Sequence, residues 1–402
     1  MVLNKKNIRN ILTVRYNPLD KSSIPLSTWK NFNYDLKDND GIQTEKLLTD
    51  SIRRNLSKEK SISISLSSGI DSSLCLGLIR KVFPEKKITG ICGVFGESFD
   101  ESIVAEKIAH KFNADFLTVN MDSIFHQLPE IISITKKPKW NTYIHLIAKK
   151  AKTISNNIVT GDGADELFGG YTFRYEKFQN LLNYKGTWKD KVKNYLECHN
   201  RDWVSDQDQM FGKKIKFDWN EIYEYFRPYF QNKLDPLKQV MLADYNGKLL
   251  RDFIPLGKSI CSYYKIKGFP IFLESDMISF AQKISLEEKF DKNSHRGKLL
   301  LRIICKRLGI KHIDEKKGFS PSLLLDWEKN GKKIFETYLM NKKSYVFKKG
   351  LINYDWLTKS YEHLQQDGDI RILNRLISIL ALEIWYRSII KSEISASTKL
   401  LE

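Results

Sequence analysis

The chain has 402 residues, 42% of them apolar and 12% aromatic, enough for one large core or two to three domains. No stretch approaches the roughly 20 apolar residues of a membrane-spanning helix, and the start, Met1-Val2-Leu3-Asn4-Lys5-Lys6, lacks the apolar block of a secretory signal, so a cytoplasmic protein with no membrane partner is expected. The charge of +18 admits a polyanionic partner such as RNA, an acidic carrier protein or a phosphorylated substrate, or else simply the lysine bias of the whole chain.

Residues 1–45 are mixed, with a candidate strand from Ile11 to Tyr16 and loops at "NPLDKSS" and "KDNDG". Glu45 to Leu56 has apolar residues at helical spacing. A clean alternation then begins: strand Ser61 to Leu66, helix Ser72 to Phe83, strand Ile88 to Phe95, helix Asp100 to Phe112, strand Asp115 to Asn120. Helix Thr142 to Ser155 and strand Asn157 to Gly161 continue it. Strands and helices alternating at this spacing predict an α/β fold with a doubly wound parallel sheet. From about Phe173 onward strand signals fade, and the rest reads as a mainly helical C-terminal region ending in an apolar helix from Ile370 to Ile390. The five cysteines are widely separated, with no Cys-x-x-Cys pair, which argues against a disulfide framework and a zinc ribbon.

In a doubly wound sheet ligands bind beyond the carboxyl ends of the strands. Two unusual segments lie there. The first is "LSSGIDSS", Leu66 to Ser73. A strand, then small residues, then a helix makes a phosphate cradle, because N–H groups at a helix start are unpaired and partly positive. Serine hydroxyls add donors, and Gly69 permits close backbone approach. Asp71 beside an anion makes sense with Mg²⁺ between them. The plain alternative is a polar turn with Asp71 as a helix cap. The Gly-Lys-Ser/Thr ending of a Walker A loop is absent. The second segment is "TGDGADELFGGY", Thr160 to Tyr171, which crowds Asp162, Asp165 and Glu166 just after a strand. Such an acidic knot is repulsive unless a cation or a catalytic task offsets it. Asp165 is therefore a candidate second ligand to the same Mg²⁺. Capping by Asp162 and Asp165 is the alternative.

These segments carry a family resemblance. "LSSGIDSS" resembles the pyrophosphate-binding loop of the ATP pyrophosphatase (PP-loop) superfamily, and "TGDGADELFGGY" resembles the second signature of the asparagine synthetase family, which includes β-lactam synthetase. "SFDES", Ser98 to Ser102, is similar to the Asp-Glu pair between them. The resemblance implies an adenine nucleotide alpha hydrolase-like fold and an AMP-forming amide ligase that uses ATP and Mg²⁺. In such enzymes a substrate carboxylate attacks the α-phosphorus of ATP, pyrophosphate leaves, and ammonia or an amine attacks the acyl-adenylate. Carried over, Ser67, Ser68, Gly69, Asp71, Ser72 and Ser73 would hold the pyrophosphate end. Leu66, Val94, Thr160 and Gly161 would border the adenosine. Asp71 and Asp165 would hold the metal, and Asp162 would be the base for the amine, where many members have Glu. "EKKGFSP", Glu315 to Pro321, supplies Lys316, beside Lys317, as the cation aimed at the phosphorus centre, and "GKLLLR" makes Lys298 and Arg302 further candidates.

Departures from the pattern are informative. Ser68 replaces the first glycine of the usual pair. Counted back without gaps from Phe272-Leu273-Glu274, Lys258 and Lys267 stand where the family has acids, and Phe269 where it has Arg, on the acceptor side of the pocket. The resemblance covers residues 46–390, leaving 1–45 as an extension and 391–402 as a tail. Position two is Val2, where the family's glutaminase module begins with Cys, and residues 1–45 are too few to hold that module. The expected nitrogen source is therefore free ammonia, a separate ammonia-supplying subunit or an amine substrate. An adenylating tRNA-modifying enzyme and a non-catalytic nucleotide-binding scaffold stand as rival readings.

Overall fold

The computed structural model describes residues 4–95, 101–199, 204, 206–311 and 322–401. At its centre is a parallel sheet of five strands: β1 (Ser61–Ser65), β2 (Lys87–Val94), β3 (Asp115–Asn120), β4 (Asn157–Thr160) and β5 (Lys267–Pro270). Their order is β3-β2-β1-β4-β5. In register, Ser61 lies beside Lys87, Thr89 beside Asp115, Ile64 beside Val159 and Asn157 beside Lys267. The winding reverses between β1 and β4, which is where both unusual segments leave the sheet.

The serines of β1 are tolerated because their polar atoms are satisfied. Ile62 and Ile64 are fully buried, and so is Ser63. The Ser63 hydroxyl lies 2.8 Å from that of Ser155, and its N–H donates to Asn157 Oδ1 at 3.2 Å. Helix Ile70–Val82 follows β1 and buries Leu74, Cys75, Leu76, Leu78 and Ile79. An all-round apolar helix of this kind must be covered on both sides. The sheet covers one side, and helices Ile42–Leu56 and Leu299–Arg307 cover the other.

Two expectations change. Ile11 to Tyr16 is not a strand: Lys5–Val14 is a helix, started by Asn4 Oδ1 accepting from Asn7 N–H at 2.8 Å and stopped at Arg15 with φ 73°. Its β-branched run suits a strand locally, but Ile8 and Leu12, four apart, bury one helical face against helix Ile370–Trp385. The sheet also gains β5, whose Gly268 and Pro270 conceal it; proline is acceptable at the end of an edge strand.

The rest is helical, including a nine-residue π-helical stretch, Tyr245–Phe253. Helix Ile370–Trp385 is buried along most of its length and anchors a second core. Ile8 and Leu12 from the start of the chain, and Ile394 and Leu400 near its end, belong to that core. Among the described residues no helix is long and apolar enough to cross a membrane.

The turn after β4 is set by Gly163, whose φ of +93° favours glycine and whose missing Cβ leaves room for the Leu273 side chain. Gly163→Ala should cost roughly 1–3 kcal/mol in backbone strain alone, read as a lower urea midpoint at constant m-value. An unchanged midpoint would show that this turn does not depend on glycine.

Candidate active site

The site forms at the carboxyl ends of β2, β1 and β4, around the reversal in strand order. The chain leaves β1 through Leu66 to Gly69 and enters helix Ile70–Val82, whose start has no side-chain cap. The first-turn N–H groups therefore remain available to an anion. The serines build the loop. Ser67 N–H donates to Ser72 Oγ at 3.0 Å, the two hydroxyls lie 3.0 Å apart, Gly69 N–H donates to Ser67 Oγ at 3.2 Å, and the Ser73 hydroxyl reaches Ser67 O at 3.3 Å. Gly69 has φ −78°, so close approach rather than a left-handed backbone is its use here. Ser68 is buried and donates to Glu101 Oε2 at 2.9 Å, tying the loop to the last part of the "SFDES" segment. Ser98, Phe99 and Asp100 of that segment lie outside the described residues.

Asp71 does not cap its helix, and neither Asp162 nor Asp165 caps helix Ala164–Phe168. Instead Asp71 and Asp165 converge on one ammonium. Lys298 Nζ lies 2.6 Å from Asp71 Oδ2 and 2.5 Å from Asp165 Oδ1. The side chains are 7% exposed for Lys298, 19% for Asp71 and 15% for Asp165, so this is a desolvated, charge-assisted cluster. Removing Lys298 would leave two facing carboxylates without their cation, a loss of about 3–5 kcal/mol.

Glycines let the groups meet. A Cβ on Gly161 would press on Asp71 Cβ at 2.7 Å, and one on Gly170 would overlap Asp165 Oδ1 and Lys298 Cε. Lys298 has a left-handed backbone, φ 58°, rare for a side-chain-bearing residue. Its N–H donates to Phe168 O at 3.0 Å, and its carbonyl accepts from Arg302 N–H at 2.9 Å. Arg302 Nε also donates to Gly297 O at 2.8 Å. Arg302 thus braces the turn that presents Lys298.

Asp71 Oδ1 is buried and has no hydrogen-bond partner. That atom and the paired carboxylates fit Mg²⁺, which takes one or two carboxylates alongside phosphate oxygens. Among the described residues no cluster of three or more His, Cys, Asp or Glu forms a cage made by protein alone.

Asp162 follows β4 with its side chain exposed, and Thr160 Oγ1 donates to its Oδ2 at 2.8 Å. Its pKa is raised by the protein mass packed around it, partly offset by the Thr160 hydroxyl, and further by the negative charges of Asp71 and Asp165. Beneath the site lies a buried network of which sequence patterns flagged only Glu166. Tyr171 O–H donates to Glu166 Oε1 at 2.6 Å. Arg174 and Lys248 lie over the Tyr171 ring at 3.9 and 4.2 Å. Arg174 grips Asp244 with two bonds, 3.0 and 2.7 Å, and Tyr195 O–H adds a third to Asp244 at 2.8 Å. Burial and then Asp165 push Glu166 up, while burial and then Arg174 push Lys248 down. The signal for Glu166 was its place in the acidic knot; Lys248, in "YNGKLLRD", carried none.

Other expected site residues are distributed as follows. Val94 ends β2 beside the loop, and Thr160 and Gly161 close β4. The Leu66 side chain faces the core over Gly90 rather than an adenosine pocket; a Cβ on Gly90 would meet it at 2.7 Å. Lys267 opens β5 beside Asn157, at the amino end of the sheet, and pairs with Glu59 at 2.9 Å. It is therefore at the wrong end of the strand to line an acceptor pocket. The register argument fails there because β5 begins at this lysine. Lys258 is exposed on helix Ile254–Tyr264. Lys316, with the whole of Glu315 to Pro321, lies outside the described residues.

Parts of the chain are similar to known proteins. A Mycobacterium tuberculosis protein named as a glutamine-hydrolysing asparagine synthetase is 31% identical over 147 residues, covering 35% of this chain and 22% of that protein. Asparagine synthetase [glutamine-hydrolyzing] 1 of Bacillus subtilis is 27% identical over 132 residues, covering 32% and 21%. The aligned part thus spans about a fifth of these relatives. Among solved structures, an NH3-dependent NAD synthetase of Campylobacter jejuni aligns over 54% of this chain and 96% of its own, with 14% identity and a TM-score of 0.27. The asparagine synthase family model matches residues 43–387, and the chain belongs to that family.

Proposed function

We propose that the protein is an ATP-dependent amide ligase that releases AMP. In the first step a substrate carboxylate attacks the α-phosphorus of ATP, forming the acyl-adenylate and releasing pyrophosphate. In the second, ammonia or an amine attacks the acyl carbon, giving the amide, AMP and one proton. The observation that carries this reading is the meeting of Asp71 and Asp165 on one cation beside an uncapped helix start.

The roles follow from position. The first-turn N–H groups of helix Ile70–Val82, with the hydroxyls of Ser67, Ser72 and Ser73, bind and orient the pyrophosphate end. Asp71 and Asp165 would hold Mg²⁺, which when bound supplies neutralisation of charge on the departing pyrophosphate. Lys298 stands within reach of the same phosphates. Asp162, exposed and with a raised pKa, is suited to take the proton from the incoming amine. Lys316 is assigned to the phosphorus centre by the family resemblance alone.

ATP–pyrophosphate exchange across a panel of carboxylic acids, read together with AMP release, tests the reaction type. Exchange with at least one acid is expected, and ADP as the product would overturn the reading. Asp71→Asn and Asp165→Asn should each reduce exchange by at least a hundredfold while circular dichroism stays unchanged. Asp162→Asn should leave exchange within a fewfold of wild type but slow amide formation by about 10²–10⁴. Because Asp162 must be deprotonated to act, amide formation in the wild type should rise with pH through its elevated pKa and then level off. The variant should lack that limb in a single-turnover pH profile.

A further inference from the structure

The Lys298 ammonium fills the position between Asp71 and Asp165 that a shared metal ion needs. Both carboxylate oxygens contact the same nitrogen at hydrogen-bond distance, 2.6 and 2.5 Å. A divalent ion bound to both oxygens at metal–oxygen distances of about 2.0–2.1 Å would occupy the same volume. Ammonium and metal are therefore alternatives at one place.

Lys298 has little freedom to give way through its backbone. Its left-handed conformation is pinned by Phe168 O on one side and Arg302 N–H on the other. The preceding Gly297 packs so tightly on the Gly169 carbonyl that a Cβ there would overlap it. Only the side chain can swing, and its stem lies against Gly170. An ammonium forced off the carboxylates needs another anion, because a buried unpaired charge is strongly unfavourable. Without nucleotide the neighbouring loop offers serine hydroxyls and N–H groups, which cannot replace a carboxylate as counter-ion. With a polyphosphate bound at the helix start, they are replaced by phosphate oxygens. Two carboxylates share the one Lys298 ammonium, and Asp71 Oδ1 is buried without a hydrogen-bond partner. Both favour a cation of higher charge once the lysine has somewhere to go.

We infer that Lys298 is an internal cation that excludes free divalent metal from the Asp71–Asp165 pair and yields it only when a polyphosphate arrives to receive the ammonium. Metal and nucleotide then load together, and neither carboxylate is left bare between turnovers. This rests on the metal and nucleotide site proposed above. Lys298 here is a positioning residue whose effect is read in metal binding without turnover.

The test is Mn²⁺ binding to the intact chain, followed by the electron paramagnetic resonance signal of free Mn²⁺. Wild type should bind Mn²⁺ at least tenfold more weakly alone than with α,β-methylene-ATP, which cannot be cleaved at the reacting bond. Lys298→Met should bind Mn²⁺ without nucleotide at least tenfold more tightly than wild type, and adding Asp71→Asn should abolish that gain. Lys298→Arg, which keeps the cation, should behave as wild type. Equal affinity for Mn²⁺ with and without the analogue in wild type, or no gain in Lys298→Met, would overturn the inference. If Lys298→Met fails to fold by circular dichroism, Lys298→Gln takes its place in the nucleotide-free comparison with wild type, and no gain there overturns the inference. Absence of Mn²⁺ binding under every condition removes the metal site and this inference with it, whereas exchange and AMP release report separately on the ligase reading.

Discussion

Two carboxylates from signatures far apart in the chain share one lysine nitrogen, and much of the local architecture exists to allow this. Asp71 sits in the first turn of a helix that leaves β1, and Asp165 in a short helix that leaves β4. Only adjacent parallel strands with opposite onward winding bring those two exits side by side. Three glycines remove the atoms that would keep the groups apart: Gly161 at Asp71, Gly170 at Asp165 and Lys298, and Gly297 at the turn that presents the lysine. A larger residue at any of them would meet backbone or the charged groups themselves, so local shape and local charge are set together.

The cluster is rich in acids: two of them face one base at its centre, with further acids, Asp162 and Glu166, close in sequence. Such an excess of acid invites a cation, and negative neighbours add to the burial that raises the pKa of Asp162 and Glu166. The neighbouring network absorbs part of it. Glu166 is bonded by Tyr171, and Tyr171 lies under Arg174 and Lys248. Arg174 is in turn neutralised by Asp244. Charges beneath the site are thereby balanced in the helical layer through aromatic faces and bidentate bonds, which hold their geometry better than flexible surface pairs. The π-helical stretch Tyr245–Phe253 delivers Lys248 to this point, in keeping with the tendency of π-turns to occur where a side chain must be aimed at a site.

Residues near both ends of the described chain pack into the second core. Helix Lys5–Val14 and residues Ile394 and Leu400 lie in the core built on helix Ile370–Trp385. Arg375 donates to Leu12 O and Thr13 O, closing the C-terminal turn of the first helix from the far end of the sequence. The helical region that follows the sheet is thus bound to segments on both flanks of the family match.

Much of the sheet was legible from residue order. β1 to β4 and the helices Ile70–Val82, Ser102–Lys111 and Ile144–Lys152 fall within a few residues of the positions implied by alternating and helical apolar spacing, whereas helix Ile124–Thr135, between β3 and β4, was not anticipated. The two acidic and serine-rich segments were legible because residues that serve a ligand violate the rules for turns and caps, and Asp71 and Asp165 do so visibly. What the sequence could not disclose was settled by contacts between distant segments. β5, short and carrying Gly268 and Pro270, is a strand only because β4 offers it a partner. The start of the chain is a helix only because Ile8 and Leu12 find a buried surface in the C-terminal core. Lys298 was marked as a further candidate only through the resemblance of "GKLLLR", and the same run reads equally well as a helix carrying ordinary surface charges. Its role between two aspartates was decided by the turn at Gly297 and the packing of glycine on glycine, since electrostatic pairing depends on distances in space that only the folded chain sets.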